Sequence, residues 1–219
     1  MKTFKVLSLL LSYPELDWLD ALPEMAALVS DEQPVHGKTM ECLRPLFEHL
    51  EAEPLLSLQE SYVEHFDRNA RCSLSLFEHV HGDSRERGQA MVDLVQRYRD
   101  VGLRFSGEAL PDYLPAYLEY LSLLPVQEAQ DRLSEITHLL RTVGERLAQR
   151  ESPYVALFDC LLALAGEPVL DASGELPVAD QDPEAMDREW AEAPVLFGPG
   201  CTPGEARTQV VHFHKGAGS

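Results

Sequence analysis

Two stretches of this 219-residue chain gather side chains that could do chemistry. The first covers residues 62–67 and 73–88 and sets His65, Phe77, Glu78, His79, His81, Arg85 and Arg87 about a glycine at position 82. The second, residues 108–121, places Asp112 and Glu119 among Tyr113, Tyr117 and Tyr120. Glu-x-x-His pairs are the raw material of a dimetal centre in a helical bundle, which takes two such pairs and a lone Glu from each of two further helices. The pairs here are Glu78 with His81 and Glu135 with His138. The first ends against Gly82, where a helix should break. The apolar seam of the second helix runs through Ile136 and Leu140, which turns Glu135 and His138 towards solvent. Unrelated surface residues explain both pairs better than a metal-dependent enzyme does. The sequence holds no nucleophile elbow, phosphate loop, dinucleotide-binding glycine pattern or zinc-protease motif. Asp67, Arg68, Arg71, Arg85 and Arg87 read either as a solvated face or as an ion-pair network fixing the turn at Gly82. At a surface each such pair contributes only about 0–1 kcal/mol, so a structural role requires partial burial.

The tyrosines have an informative spacing. Residues 112–124 are expected to form one helix with Asp112 as its cap. On it Leu114, Leu118 and Leu121 share one face, while Tyr113, Tyr117, Tyr120 and Leu124 share an adjacent one. The plain reading puts both stripes in the core. In the other reading the tyrosines line a groove, offering rings to an apolar guest and hydroxyls to its backbone. On that reading Tyr117→Ala and Asp112→Ala should weaken binding of the guest and leave the fold intact.

The elements that position these residues are helices. Breaks are expected at Tyr13-Pro14, Gln33-Pro34, Glu53-Pro54, His81-Gly82-Asp83, Ser106-Gly107 and Ser152-Pro153. Between them apolar residues recur every three or four positions. Leu55, Leu58, Tyr62 and Phe66 form one stripe, and Met91, Leu94, Tyr98, Val101 and Phe105 another. Leu133, Ile136, Leu140, Val143 and Leu147 form a third, on an otherwise polar helix. Asp83 or Ser84 can cap the helix carrying Met91, and Ser152 with Pro153 can open the last helix, about 154–165. That helix is apolar on nearly every side and should run through the middle of the core. The fold class is therefore all-α, a single-domain helical bundle over residues 1–165. Residues 166–219 differ: six prolines, seven glycines and ten acids stand against three basic residues. That is the composition of a flexible acidic tail. Its apolar islands, Trp190 with 195–197 and then 210–213, either dock somewhere or are inert.

Composition excludes several partners. With 37 acids against 18 bases, the net charge of -19 repels nucleic acid and anionic membrane surfaces. A basic or apolar protein segment is the natural kind of partner. Cys42, Cys72, Cys160 and Cys201 form no C-x-x-C pair, which points to reduced thiols in a cytosolic setting. Lys2 and Lys5 precede a short apolar run, but Tyr13-Pro14-Glu15 follows where a cleavage site should be, and Phe4, Leu7 and Leu11 fit one helical face. No segment approaches the ~20 apolar residues that span a bilayer, so direct membrane insertion is not expected.

Three runs carry a family resemblance. The run 75–91, from Ser75 and Phe77 through His79, His81, Gly82 and Arg87 to Met91, resembles the signature stretch of the NarJ-type delta-subunit chaperones of respiratory nitrate reductase. The run 110–121, built on Leu110-Pro111-Asp112-Tyr113 and Tyr117-Leu118-Glu119-Tyr120, and the run 190–198 are similar to the same family. The resemblance implies a helical member of the redox-enzyme maturation chaperones. Such a protein binds the N-terminal peptide of the apo catalytic (alpha) subunit, an amphipathic helix, and supports molybdenum-cofactor insertion before membrane anchoring. It implies a cytoplasmic protein that is not an enzyme and holds no resident cofactor or metal, with molybdenum-cofactor biosynthesis proteins as further partners. The residues implied for peptide binding are Leu110, Asp112, Tyr113, Tyr117, Glu119, Tyr120, Phe77 and His79. Leu110-Pro111-Asp112 corresponds to the Pro-x-Asp hinge motif of the wider group. Tyr113 stands where that group often has histidine, so no role of that histidine carries over. A passive structural subunit of the finished enzyme is the remaining alternative.

Overall fold

Proline placement decides where several helices start, because its fixed φ suits a first turn and its missing N–H is not needed there. The computed structural model describes residues 1–32, 39–81, 85–104 and 110–170, which belong to one compact unit, Met1–Leu176. In chain order they form α1 (Lys2–Leu10), α2 (Leu16–Leu19), α3 (Leu22–Asp31), α4 (Thr39–Ala52) and α5 (Leu55–Tyr62), which runs on into a wide π-type turn at Val63–Asp67. A 3-10 turn at Ala70–Cys72 leads to α6 (Glu78–His81), α7 (Arg85–Asp100), α8 (Leu114–Leu123), α9 (Val126–Ser134), α10 (Thr137–Gln149) and α11 (Val155–Leu164). Pro23 and Pro115 lie in the first turns of α3 and α8, and Pro54 and Pro125 immediately precede α5 and α9. The described residues contain no strand; Ser75 and Tyr113 form an isolated antiparallel bridge. The protein is all-α, as the periodicity requires.

The core is built around α11. Leu157, Phe158, Cys160, Leu161, Leu162 and Leu164 are all buried, against α4, α10 and α9, while the face carrying Val155, Ala156, Asp159 and Ala163 is half-buried. Each such large side chain contributes roughly 1.5–3 kcal/mol by leaving water. A second layer is α1 on α8, and the two are antiparallel. The Met1 ammonium donates to Ser122 O at 2.9 Å, Lys5 pairs with Glu119, and Ser8 Oγ donates to Pro115 O at 2.7 Å. Phe4, Leu7 and Leu10 of α1 and Leu11 just after it are fully buried, as are Leu118 and Leu121 of α8. Glu32 closes the start of α1, its carboxylate accepting from the Lys2 and Thr3 N–H groups at 2.7 and 2.6 Å.

Three expectations are corrected. The stripe from Leu133 to Leu147 spans two helices, α9 and α10, rather than one. No proline or glycine marks the break. Instead Ser134 Oγ donates to Gln130 O and Thr137 Oγ1 to Ser134 O, so hydroxyls compete for the helix carbonyls just where the backbone turns. Leu133, Leu140, Val143 and Leu147 still reach the core. Secondly, α8 starts at Leu114 with Tyr113 at its cap position and no side-chain capping bond, so Asp112 does not cap it. Thirdly, residues 166–170, which composition assigns to the tail, stay on the body. Gly166, at φ +81°, ends α11 with Glu167 N–H donating to Leu162 O. Leu170 N–H then donates to Asp159 Oδ1 at 2.8 Å. Its side chain lies over Gly144, where a Cβ would come within 2.6 Å of Leu170 Cδ1 and 2.9 Å of Phe158 Cβ. Ser152 also acts slightly earlier than expected: its hydroxyl accepts from Tyr154 N–H, and α11 begins at Val155. Residues 171–219, with Trp190 and both apolar islands, lie outside the described residues. So do the breaks expected at 33–34, 82–83 and 106–107, the caps Asp83 and Ser84, and Phe105.

Candidate functional site

The two stretches singled out by their chemistry meet. The backbone of 74–76 pairs with 112–114, Leu76 N–H donating to Asp112 O at 3.0 Å and Leu114 N–H to Leu74 O at 2.8 Å. Asp112 is fully buried, and its Oδ2 accepts from Phe77 N–H at 3.0 Å. Its Oδ1 is buried with no hydrogen-bond partner among the described residues. A carboxylate spent on a neighbouring segment's backbone is a joint between the two stretches. Pro111 supports it, its carbonyl accepting from Tyr98 OH at 2.7 Å. On the other side His79 Nε2 donates to Ser73 O at 2.8 Å, closing the 73–79 turn, and Glu78 lies 3.6 Å from the Arg87 guanidinium. Leu74, Leu76 and Leu114 then press on Leu139, Leu140, Val143 and Phe158 beneath, leaving a void of only about 10 Å³.

The tyrosine stripe of α8 is core. Tyr117 and Tyr120 are 4% and 3% exposed, and Tyr117 OH donates to Arg132 O at 3.1 Å. Their rings stack with Tyr98 in a tilted series, with centroids 5.2 and 5.9 Å apart. Neither presents a ring to the surface, so for these two the plain reading, core, describes the structure; their face is covered by Tyr98 of α7 and by α9. Tyr113 is different. It is half-buried, and its hydroxyl donates to Tyr62 Oη at 2.7 Å while Tyr62 OH donates to Leu11 O at 2.9 Å. Burial pushes both hydroxyls above the ordinary phenol value, and the charge of Asp67 adds to this, so both stay protonated and act only in hydrogen bonding. Of the other expected residues, Leu110 is exposed, Phe77 and His79 are half-buried, and Glu119 is held by Lys5.

Metal-ligating residues stay apart. Glu135 sits between α9 and α10 and pairs with Arg132 at 2.9 Å, and His138 is exposed. Among the described residues no three His, Cys, Asp or Glu side chains are grouped to hold a metal ion. Burial raises the thiols of Cys72 and Cys160, which leaves them poor nucleophiles. No described helix is long and apolar enough to cross a membrane.

A second polar group, whose burial the sequence did not reveal, is set where α5 widens. Both ring nitrogens of His65 are buried without a hydrogen-bond partner among the described residues, as are His49 Nε2 and Tyr154 OH. The His65 ring lies 6.2 Å from that of Tyr154. Burial lowers the His65 pKa; Glu64 opposes this, while Arg150 and His49 add to it. The sign follows. The folded state takes up this proton less readily than the unfolded chain, so stability falls as pH drops through about 6.5, the ordinary histidine value, towards the lower folded one. We predict that the urea midpoint of the native protein declines more between pH 7.5 and 5.5 than that of His65→Gln. Parallel declines would mean that His65 is not the group responsible.

Comparison with known proteins extends this geometry. The nitrate reductase delta subunit family matches residues 33–159. A probable nitrate reductase molybdenum cofactor assembly chaperone, NarW of Escherichia coli (strain K12), is 43% identical over 202 residues, covering 90% of this chain and 84% of that protein. The nitrate reductase molybdenum cofactor assembly chaperone NarJ of the same strain is 40% identical, over 88% of this chain and 83% of that one. A probable chaperone of the same kind from Bacillus subtilis (strain 168) is 31% identical over 74% of this chain and 86% of its own.

Proposed function

The chain belongs to the nitrate reductase delta subunit family, and on that premise we propose that it is an assembly chaperone for respiratory nitrate reductase. It binds the apo catalytic subunit through that subunit's N-terminal peptide, in the cytoplasm, and keeps it open to molybdenum-cofactor insertion until the enzyme is ready for membrane anchoring. It works by binding rather than by catalysis, with cofactor-biosynthesis proteins as further partners. The observation that carries this reading is the identity of 40–43% along about nine-tenths of the chain to proteins named as such chaperones. The acidic chain supports it too, since a net charge of -19 favours a basic segment as guest. An amphipathic helix would bury about 800 Å² per partner, and a few apolar anchors at roughly 1.5–3 kcal/mol each are enough for a complex that can be released.

Titrating the full chain with a labelled synthetic peptide of the catalytic subunit's N-terminus tests the reading. Saturable one-to-one binding is expected, and no binding would refute it. The family description, a delta subunit, favours a second reading in which the protein stays as a passive subunit. Pull-down separates the two: a chaperone is recovered with the apo catalytic subunit and not with cofactor-loaded enzyme, whereas a subunit is recovered with both.

A further inference from the structure

One face of the molecule combines exposed apolar side chains with a one-sided charge. Tyr13, Leu16 and Leu56 are 41%, 60% and 66% exposed. They are gathered because the end of α1 is tied to α5. Gln59 Nε2 donates to Pro14 O at 2.8 Å, and the Tyr13 ring meets Tyr62 edge-on at 5.6 Å. Tyr62 in turn holds Tyr113, which brings the half-buried end of the 110–114 run to the same edge. Leu56 lies one turn before Gln59 on the same side of α5. Around these side chains the segments 13–20 and 54–68 carry six acids, Glu15, Asp17, Asp20, Glu60, Glu64 and Asp67, all exposed, against one base, Arg68.

An apolar hollow elsewhere among the described residues has a different rim. A cavity of about 260 Å³ between α1 and α3 is floored by Val6, Leu9, Met25 and Leu28, with Lys2, Lys5 and Glu24 at its edge. That rim mixes both signs of charge, whereas the acids at the tyrosine edge outnumber the bases and suit a basic guest.

We propose that the edge formed by Tyr13, Leu16, Leu56, Tyr113 and Asp67 is the docking surface for a basic amphipathic helix of the partner. This rests on the chaperone reading above and adds to it the place and the polarity. Apolar side chains of the guest lie on Leu16, Leu56 and the Tyr13 ring, and its cationic side chains reach Asp67, Glu60 and Glu64. An exposed tyrosine ring beside carboxylates suits a guanidinium, which takes the ring face and the carboxylate together. The electrostatic share of such binding is screened by salt.

The test uses the full-length chain and the labelled N-terminal peptide of the catalytic subunit. Tyr13→Ala should weaken binding about tenfold, as loss of an aromatic anchor does, and Tyr13→Phe should restore most of it. Asp67→Lys should weaken it by a similar factor and flatten its dependence on salt. Leu28→Ala, in the α1–α3 cavity, should leave it unchanged. Native-like helical content and melting temperature in each variant show that the fold is kept. Binding equal to the native protein in both Tyr13→Ala and Asp67→Lys overturns the assignment of the site and leaves the chaperone reading standing. A native protein that does not bind the peptide overturns both. Light scattering that finds a dimer abolished by Tyr13→Ala assigns the edge to a second copy of this chain, which also overturns the proposal.

Discussion

Phe158→Ala is expected to lower the free energy of unfolding by about 3–5 kcal/mol, the range for deleting a buried aromatic ring. Phe158 is fully buried on the central helix α11. It lies so near α10 that only a glycine fits opposite it, at position 144. It also lines the small void under Leu74, Leu76 and Leu114, so the ring supports the joint between the two stretches from below. That void of about 10 Å³ leaves neighbours little freedom to close in, and a poorly relaxed cavity is the costly kind. Small domains have total stabilities of only about 5–15 kcal/mol, so much of the margin would go. Urea denaturation reads this as a lowered midpoint at an unchanged slope. A loss below about 1.5 kcal/mol, the least that burying such a ring contributes, would contradict the central position of α11.

Asp112→Ala should cost about 1–3 kcal/mol, because the part-buried Phe77 N–H loses the carboxylate that accepts from it. Asp112→Asn should cost less, since an amide oxygen can still accept that bond and the charge is removed from a site where Oδ1 has no described partner. This reverses the expectation that Asp112→Ala acts on peptide binding with the fold intact. The same holds for Tyr117→Ala, whose ring is inside the protein. Urea midpoints ordered native, Asn, Ala are the predicted outcome. A native-like midpoint for Asp112→Ala combined with lost peptide binding would return Asp112 to the binding surface.

Much of the architecture was legible because helical periodicity is local. Leu58, Tyr62 and Phe66, and likewise Leu94 and Tyr98, point inward as their spacing requires. The apolar run of α11 had to be central for the same reason. What was not legible depends on contacts between distant segments. The Asp112–Phe77 joint spans 35 positions, and nothing in either run announces which neighbour the carboxylate will meet. An aspartate before a helical pattern reads as a cap, and tertiary pairing overrode that local signal. The tyrosine stripe was visible as a stripe, but periodicity cannot tell a face turned to the core from one turned to a groove. Tyr13 looked like part of a break, and only the bond from Gln59 to Pro14 makes it part of a surface. His65 was visible as a residue, but its burial was hidden because the wide turn at Val63–Asp67 leaves no mark in composition.

The polar rungs between α1 and α8 bear on how the molecule could open. Met1 with Ser122, Lys5 with Glu119, and Ser8 with Pro115 follow one another at steps of three or four residues. Sliding α1 along its neighbour by one turn breaks all three together and offers each donor a wrong acceptor. Peeling it from one end breaks them one at a time, with water taking each partner before the next is lost. Unzipping is therefore the cheaper motion, and it would uncover the leucine side of α8, Leu118 and Leu121, from an end rather than along its length.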